Sequence, residues 1–184
     1  MSHDPLTGQE SSGGLTVKVP LIPEEGTAGE WTVDPARFAE GAHPIALTGP
    51  VSLAGSLYKA GSAVNFQGRM AATLALECSR CLAPFTLPVE GEVNTVFLPA
   101  EEEGVKAEEP DAESIDAQLY EGDEIDLFIP LRDQVALAIP MRPLCREDCK
   151  GFCPQCGVNL NEKSCACVTP TGDPRLAALK KFIR

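Results

Sequence analysis

At 184 residues with 43% apolar content, the chain can bury one core, or one core plus a small appendage. A formal charge of −12 argues against a general nucleic-acid-coating role, whose affinity would come from Lys and Arg, and no run approaches the roughly 20 apolar residues that cross a bilayer. The start, Met1 to Gly14, is polar and Gly/Ser-rich without the regions of a secretory signal, so the expectation is a soluble, cytoplasmic protein whose thiols serve metal or redox chemistry.

Met1 to Ser12 lacks periodicity and should be mobile, and weak alternation from Leu15 to Ile22 suggests a first strand. Asp34-Pro35 followed by Ala36, Arg37, Phe38 and Ala39 places a capping side chain before a proline, the signature of a short helix that Gly41 ends. Val51, Leu53, Gly55 and Leu57 then alternate with polar or small residues, which is strand periodicity. After a turn at Lys59 to Ser62, Val64, Phe66, Met70, Ala72, Leu74 and Leu76 share one face of a long half-buried strand. Phe85, Leu87, Val89, Val93, Thr95 and Phe97 do the same in the next strand, where Pro88 implies a bulge or an edge. Cys78 to Pro84 falls between these strands, so a paired-cysteine loop occupies the tip of a hairpin.

Between Pro99 and Asp126 stand twelve Asp or Glu against Lys106 alone, a composition expected to give a mobile acidic loop over 99–124. Ile125 and Leu127 suggest a short strand. Leu131, Val135, Ala138 and Ile139 have helical spacing up to Pro140. Near the end, Asp173-Pro174 opens an amphipathic helix with Leu176, Leu179, Phe182 and Ile183 on one stripe. Its Arg175, Lys180, Lys181 and Arg184 are candidates for phosphate contacts, and they fit equally an ordinary helix end that favours cations. Arg142 to Arg184 holds eight Lys or Arg against four Asp or Glu, so the chain is electrically segmented.

The eight cysteines carry the chemistry: Cys78 and Cys81 at the hairpin tip, then Cys145, Cys149, Cys153, Cys156, Cys165 and Cys167. A Cys-x-x-Cys turn lets two thiolates reach one ion, and four thiolates close a tetrahedral shell around zinc. In Cys153-Pro154-Gln155-Cys156-Gly157, proline stiffens the approach and glycine permits the positive φ that follows a metal-binding knuckle. The separations suggest that Cys153, Cys156, Cys165 and Cys167 form one site and Cys78, Cys81, Cys145 and Cys149 another, with exchange of one tail cysteine between sites left open. Two zinc ions are the expectation. Iron–sulfur ligation and a redox dithiol at Cys78 and Cys81 remain alternatives, although the spacing lacks the ferredoxin run and the loop lies between strands, not at a helix N-terminus. His3 and His43 are remote in sequence from the cysteines, and no phosphate loop, nucleophile elbow or HExxH helix is present, so a non-enzyme is expected.

Leu76 to Phe85, with its Glu77-Cys78-Ser79-Arg80-Cys81 core, resembles the central signature of the YceD family, named for accumulation of large-subunit ribosomal RNA. Pro143 to Asn161, followed by Cys165-Ala166-Cys167 and Asp173-Pro174-Arg175-Leu176, resembles the cysteine-rich ending of many bacterial members. The resemblance runs from about Leu47 to Arg184 and implies a part in ribosomal RNA processing or stability, with no catalytic residues to carry over. The expected organisation is a mobile N-terminus over 1–46 that carries the first strand and the short helix, a sheet domain over 47–141 that includes the mobile acidic loop 99–124, and a zinc-binding tail over 142–184 with the terminal helix. The fold class is α+β: an antiparallel sheet, open or barrel-like, with a covering helix and a cysteine-rich zinc-bound C-terminal tail. The expected partner is pre-ribosomal RNA or a large-subunit ribosomal protein, with no membrane and no small-molecule substrate. The alternatives are a thiol-redox or iron–sulfur electron-transfer protein, and a zinc-donating chaperone.

Overall fold

The structure is a computed structural model that describes residues 15–100 and 117–167. The expected mobile start, most of the acidic run and the terminal helix with Arg175, Lys180, Lys181 and Arg184 lie outside the described residues. In chain order the strands are β1 (Thr16–Lys18), β2 (Thr27–Val33), β3 (Val51–Ala60), β4 (Ala63–Glu77), β5 (Pro84–Pro99), β6 (Ala117–Tyr120) and β7 (Glu124–Asp126), followed by helix α1 (Phe128–Leu137). The chain divides into two compact units, one running to Leu76 and resuming over Thr86–Met141, the other formed by Glu77–Phe85 and the chain from Arg142 onward.

In the first unit a five-stranded sheet runs β2-β3-β4-β5-β6, and β1 pairs with β7 in a second, two-stranded sheet. The period-two pattern decides which side is buried: Val51, Leu53 and Leu57 of β3, Val64, Phe66, Met70, Ala72 and Leu74 of β4, and Val93 and Phe97 of β5 are all in the core. Gly61, at φ +65, supplies the left-handed turn that joins β3 to β4. Gly29, Gly55 and Gly68 stand side by side on β2, β3 and β4. A side chain at Gly55 would come within 2.7 Å of the Phe66 ring and 2.6 Å of the Gln67 carbonyl, so this glycine row lets the ring lie flat on the backbone. Trp31 meets Phe66 edge-on with ring centres 6.0 Å apart.

The barrel option is corrected: β2 and β6 are the two edges of an open sheet rather than partners of one another. Nor is the sheet wholly antiparallel, because β6 runs parallel to β5 from Val96 and Ala117 to Pro99 and Tyr120. The chain between β5 and β6 is long enough for the crossover that a parallel pair requires. Along the earlier part of β5 that second side has no described strand partner, the setting in which Pro88 costs no ladder bond.

Helix α1 covers the sheet, with Leu131 and Val135 fully buried and the Gln134 side chain close over Gly91 beside Met70. The Asp126 carboxylate accepts a hydrogen bond from the Phe128 amide at its start, and Pro130 sits in its first turn. The Asp34-Pro35 signal yields a short helix of the 3-10 type, Pro35–Ala39, in which the Arg37 amide donates to the Asp34 carbonyl at 3.1 Å. Its Phe38 is wholly buried and meets Phe128 edge-on at 5.1 Å, with Arg37 4.0 Å above the same Phe128 ring. No helix among the described residues is long and apolar enough to cross a membrane.

In the second unit the described residues hold no helix or extended ladder; an isolated bridge joins Phe152 to Asn159. Turns and side-chain contacts to backbone organise it instead, and they converge on the cysteines.

Candidate metal centres

Two knuckles of the same build begin the two centres. At the hairpin tip, the Leu82 amide donates to the Cys78 carbonyl at 2.9 Å and the Cys78 amide to the Ala83 carbonyl at 3.0 Å. In the tail, the Gly157 amide donates to the Cys153 carbonyl at 2.9 Å and the Cys153 amide to the Val158 carbonyl at 2.9 Å. The residue just after the second cysteine is left-handed in both, Gly157 at φ +71 and Leu82 at φ +53. Glycine takes that conformation freely, whereas leucine is strained in it.

The hairpin centre gathers Cys78, Cys81, Cys145 and Cys149, and the tail centre Cys153, Cys156, Cys165 and Cys167, with the four sulfurs of each lying within 4.8 Å of one another. These are the two foursomes expected from the sequence separations. In the hairpin centre, Cys78 Sγ lies 3.7 Å from Cys149 Sγ and Cys81 Sγ 3.7 Å from Cys145 Sγ. Those distances are far beyond a disulfide bond, and they match the sulfur–sulfur edge of about 3.8 Å that a tetrahedron with metal–sulfur bonds of about 2.3 Å requires. A cluster of two or four irons would divide the four sulfurs among its irons and so spread the set further.

Long-range contacts bring the tail to the hairpin tip. The Ser79 amide donates to the Pro143 carbonyl at 2.8 Å, and the Arg80 guanidinium donates to the Cys149 carbonyl at 2.7 Å. Gly151, at φ +71, lets its backbone pass the Arg80 carbonyl, which a Cβ there would approach to 3.0 Å. Leu144 and Phe85 pack against this sulfur cluster. Asn161, which lies in the loop between the second and third tail-centre cysteines, donates from Nδ2 to Cys149 Sγ at 3.3 Å.

The electrostatics fit a cation. The Cys145 amide foremost, then those of Arg80 and Cys81, hold the Cys78 thiol down at about 6 against the opposing effect of burial. The amides of Cys156 and Gln155 hold Cys153 at about 6 in the same way. By contrast, burial and then the neighbouring thiols push Cys145 up to about 12, and the Cys156 thiol followed by burial pushes Cys167 up to about 12. In the hairpin centre Cys78 and Cys149 are thus shifted down while Cys81 and Cys145 are shifted up, and in the tail centre Cys153 is shifted down while Cys165 and Cys167 are shifted up. Four thiolates in contact need a positive ion between them. Each foursome can hold one metal ion, and both are sulfur-only sets of the kind that zinc favours.

The centres differ in exposure. Cys78, Cys81 and Cys149 are buried with Cys145 half-buried, whereas the tail centre buries only Cys153 and leaves Cys156 exposed. His43 is exposed, and its carbonyl accepts from Arg132. Residues 66–183 match a family model described as Large ribosomal RNA subunit accumulation protein YceD. The chain belongs to the YceD family. The matched stretch takes in most of β4, all of β5 and every cysteine of the two foursomes. No curated protein and no solved structure matches the chain.

Sequence reasoning overlooked Arg80, Leu82 and Asn161 as parts of the centres. Leu82 carried a signal, since it occupies the place after the second cysteine that Gly157 fills in the other knuckle. Arg80 and Asn161 carried none, because their contacts reach across 69 and 12 residues of chain.

Proposed function

We propose that the protein supports accumulation of large-subunit ribosomal RNA as a zinc-stabilised binding factor on the assembling particle. The observation that carries this reading is the gathering of eight cysteines into two sulfur-only foursomes inside the stretch that matches the family model. Zinc at each centre takes no part in chemistry: a shell of four thiolates leaves no coordination position for substrate, so the ion supplies folding energy and a fixed surface. The burial of Cys78 and Cys81 at 0% and 4% exposure disfavours a freely exchanging dithiol, since a redox thiol must be reached by its partner.

Charge decides which component of the particle is the favoured contact. The chain carries −12, and eight thiolates neutralised by only two dications add four further negative charges. Over the second unit, where Glu77 and Arg80 offset one another and Arg142 to Arg184 carries a formal +4, these four charges cancel the excess, so that unit is not a strong cation when loaded. A basic large-subunit protein is therefore the favoured partner, and any RNA contact falls to local groups such as Arg175, Lys180, Lys181 and Arg184. Crosslinking in cells, with separate identification of bound RNA and bound protein, tests this: the reading expects ribosomal-protein crosslinks on precursor large subunits. Association confined to mature ribosomes, or none, overturns it.

A further inference from the structure

The Asn159 to Asn161 segment has a role beyond forming a turn. Asn161 belongs by position to the tail centre, since it lies between Cys156 and Cys165, yet its side chain serves the hairpin centre. Its Oδ1 accepts from the Lys150 amide at 2.8 Å and from the Arg146 guanidinium at 2.8 Å. Both partners can only donate, so the atom facing them is oxygen and the amide nitrogen is left facing Cys149 Sγ, 3.3 Å away. The same nitrogen lies 2.9 Å from Asn159 Oδ1, which also accepts from the Asn161 backbone amide at 3.0 Å. The side chain is thus fixed in one orientation, with three partners from the 146–150 segment and one in its own turn.

That turn is itself set by the tail centre. The Leu160 amide donates to the Gly151 carbonyl at 2.9 Å, Phe152 bridges Asn159, and Cys153 donates to the Val158 carbonyl, so the 157–161 strip lies along the chain that enters Cys153. Its two ends are anchored at Cys156 and Cys165.

We infer that Asn161 is a positioning residue that couples the two metal centres: closure of the tail centre presents its amide to the Cys149 sulfur and so strengthens metal retention at the hairpin centre. Outer partners that hydrogen-bond a ligand and hold its segment in place contribute about 10- to 100-fold to metal affinity. Because linkage is reciprocal, occupancy of the hairpin centre strengthens the tail centre by the same factor.

This inference rests on both foursomes holding metal, so the zinc content of the wild-type full chain is measured first; a chain purified without zinc overturns the metal reading itself. Zinc is then withdrawn from the full chain with chelators of graded strength, and peptide-resolved alkylation reports the two foursomes separately. Asn161→Asp keeps the oxygen that Lys150 and Arg146 use and loses the donor to sulfur, while Asn161→Ala loses it without adding charge. Both are expected to weaken retention at Cys78, Cys81, Cys145 and Cys149 by about 10- to 100-fold, while full loading of the tail centre in excess zinc, before any chelator is added, shows that the unit is folded. Cys156→Ser with Cys165→Ser is expected to weaken the hairpin centre similarly, and adding Asn161→Ala should bring no further loss. Unchanged retention in both Asn161 variants, or losses that add in full in the combined variant, overturns the coupling.

Discussion

Leu82 is the residue at which the two knuckles part company. It holds a left-handed φ of +53 with 62% of its surface exposed, so it is strained without gaining much burial. A non-glycine residue there costs about 1–2 kcal/mol, part of which a glycine would return as greater entropy of the unfolded chain. Leu82→Gly should therefore stabilise the protein by roughly 0.5–1 kcal/mol, read by chemical denaturation. A loss of that size or more would mean that the side chain has a packing role that its exposure does not suggest. In the other knuckle Gly157→Ala should lose roughly 1–2 kcal/mol, because the same φ is then forced on a residue with a Cβ.

At the level of elements, β2, β3 and β4 depend on their row of glycines as much as on their apolar faces. Gly55→Val would drive a side chain into the Gln67 carbonyl, the Gly68 backbone and the Phe66 ring at once, and backbone cannot move aside as a flexible side chain can. A loss of about 1–3 kcal/mol or more is expected from this overpacking, and a variant as stable as wild type in urea denaturation would contradict the close approach. Phe66→Ala should cost about 3–5 kcal/mol, since it removes a wholly buried ring that also meets Trp31. Period-two alternation identified β3, β4 and β5 because their buried side chains are large. It failed at β2, where the inward positions are Thr27, Gly29, Trp31 and Val33, and at the four-residue β6, which follows a run of acids.

For the whole molecule, the division into a sheet unit with an apolar core and a second unit organised around sulfur predicts two responses to metal loss. The sheet unit buries Phe38, Phe66, Phe97 and Leu131 completely and has an apolar core of its own. In the second unit the buried cluster is largely cysteine, with Leu144 and Phe85 against it. Strong chelator under reducing conditions should therefore abolish hydrogen-exchange protection at the amides of Cys153, Gly157 and Leu160, and leave those of β3 and β4 protected. Retained protection at both sets in metal-free protein would show that the sulfur clusters hold their shape without an ion. If the partner is basic, association with precursor particles should weaken as salt is raised, because exposed charges more than about 10 Å apart are screened at about 0.1 M.

The sequence by itself determined which faces of the long strands are buried and where the thiols fall. It also suggested which four belong together, because alternation and ligand spacing are local properties of a chain. Cys78 and Cys81 are a pair in any conformation that turns between β4 and β5, and Cys153 and Cys156 are a pair wherever Pro154 and Gly157 shape the knuckle. Tertiary structure alone decided that the sheet stays open with β2 and β6 at its edges, and that β6 joins β5 in parallel. It alone placed Arg80 on the Cys149 carbonyl and Asn161 on the Cys149 sulfur. Such pairings are chosen by the total burial and hydrogen bonding of segments far apart in the chain, and no residue's immediate neighbours record that choice.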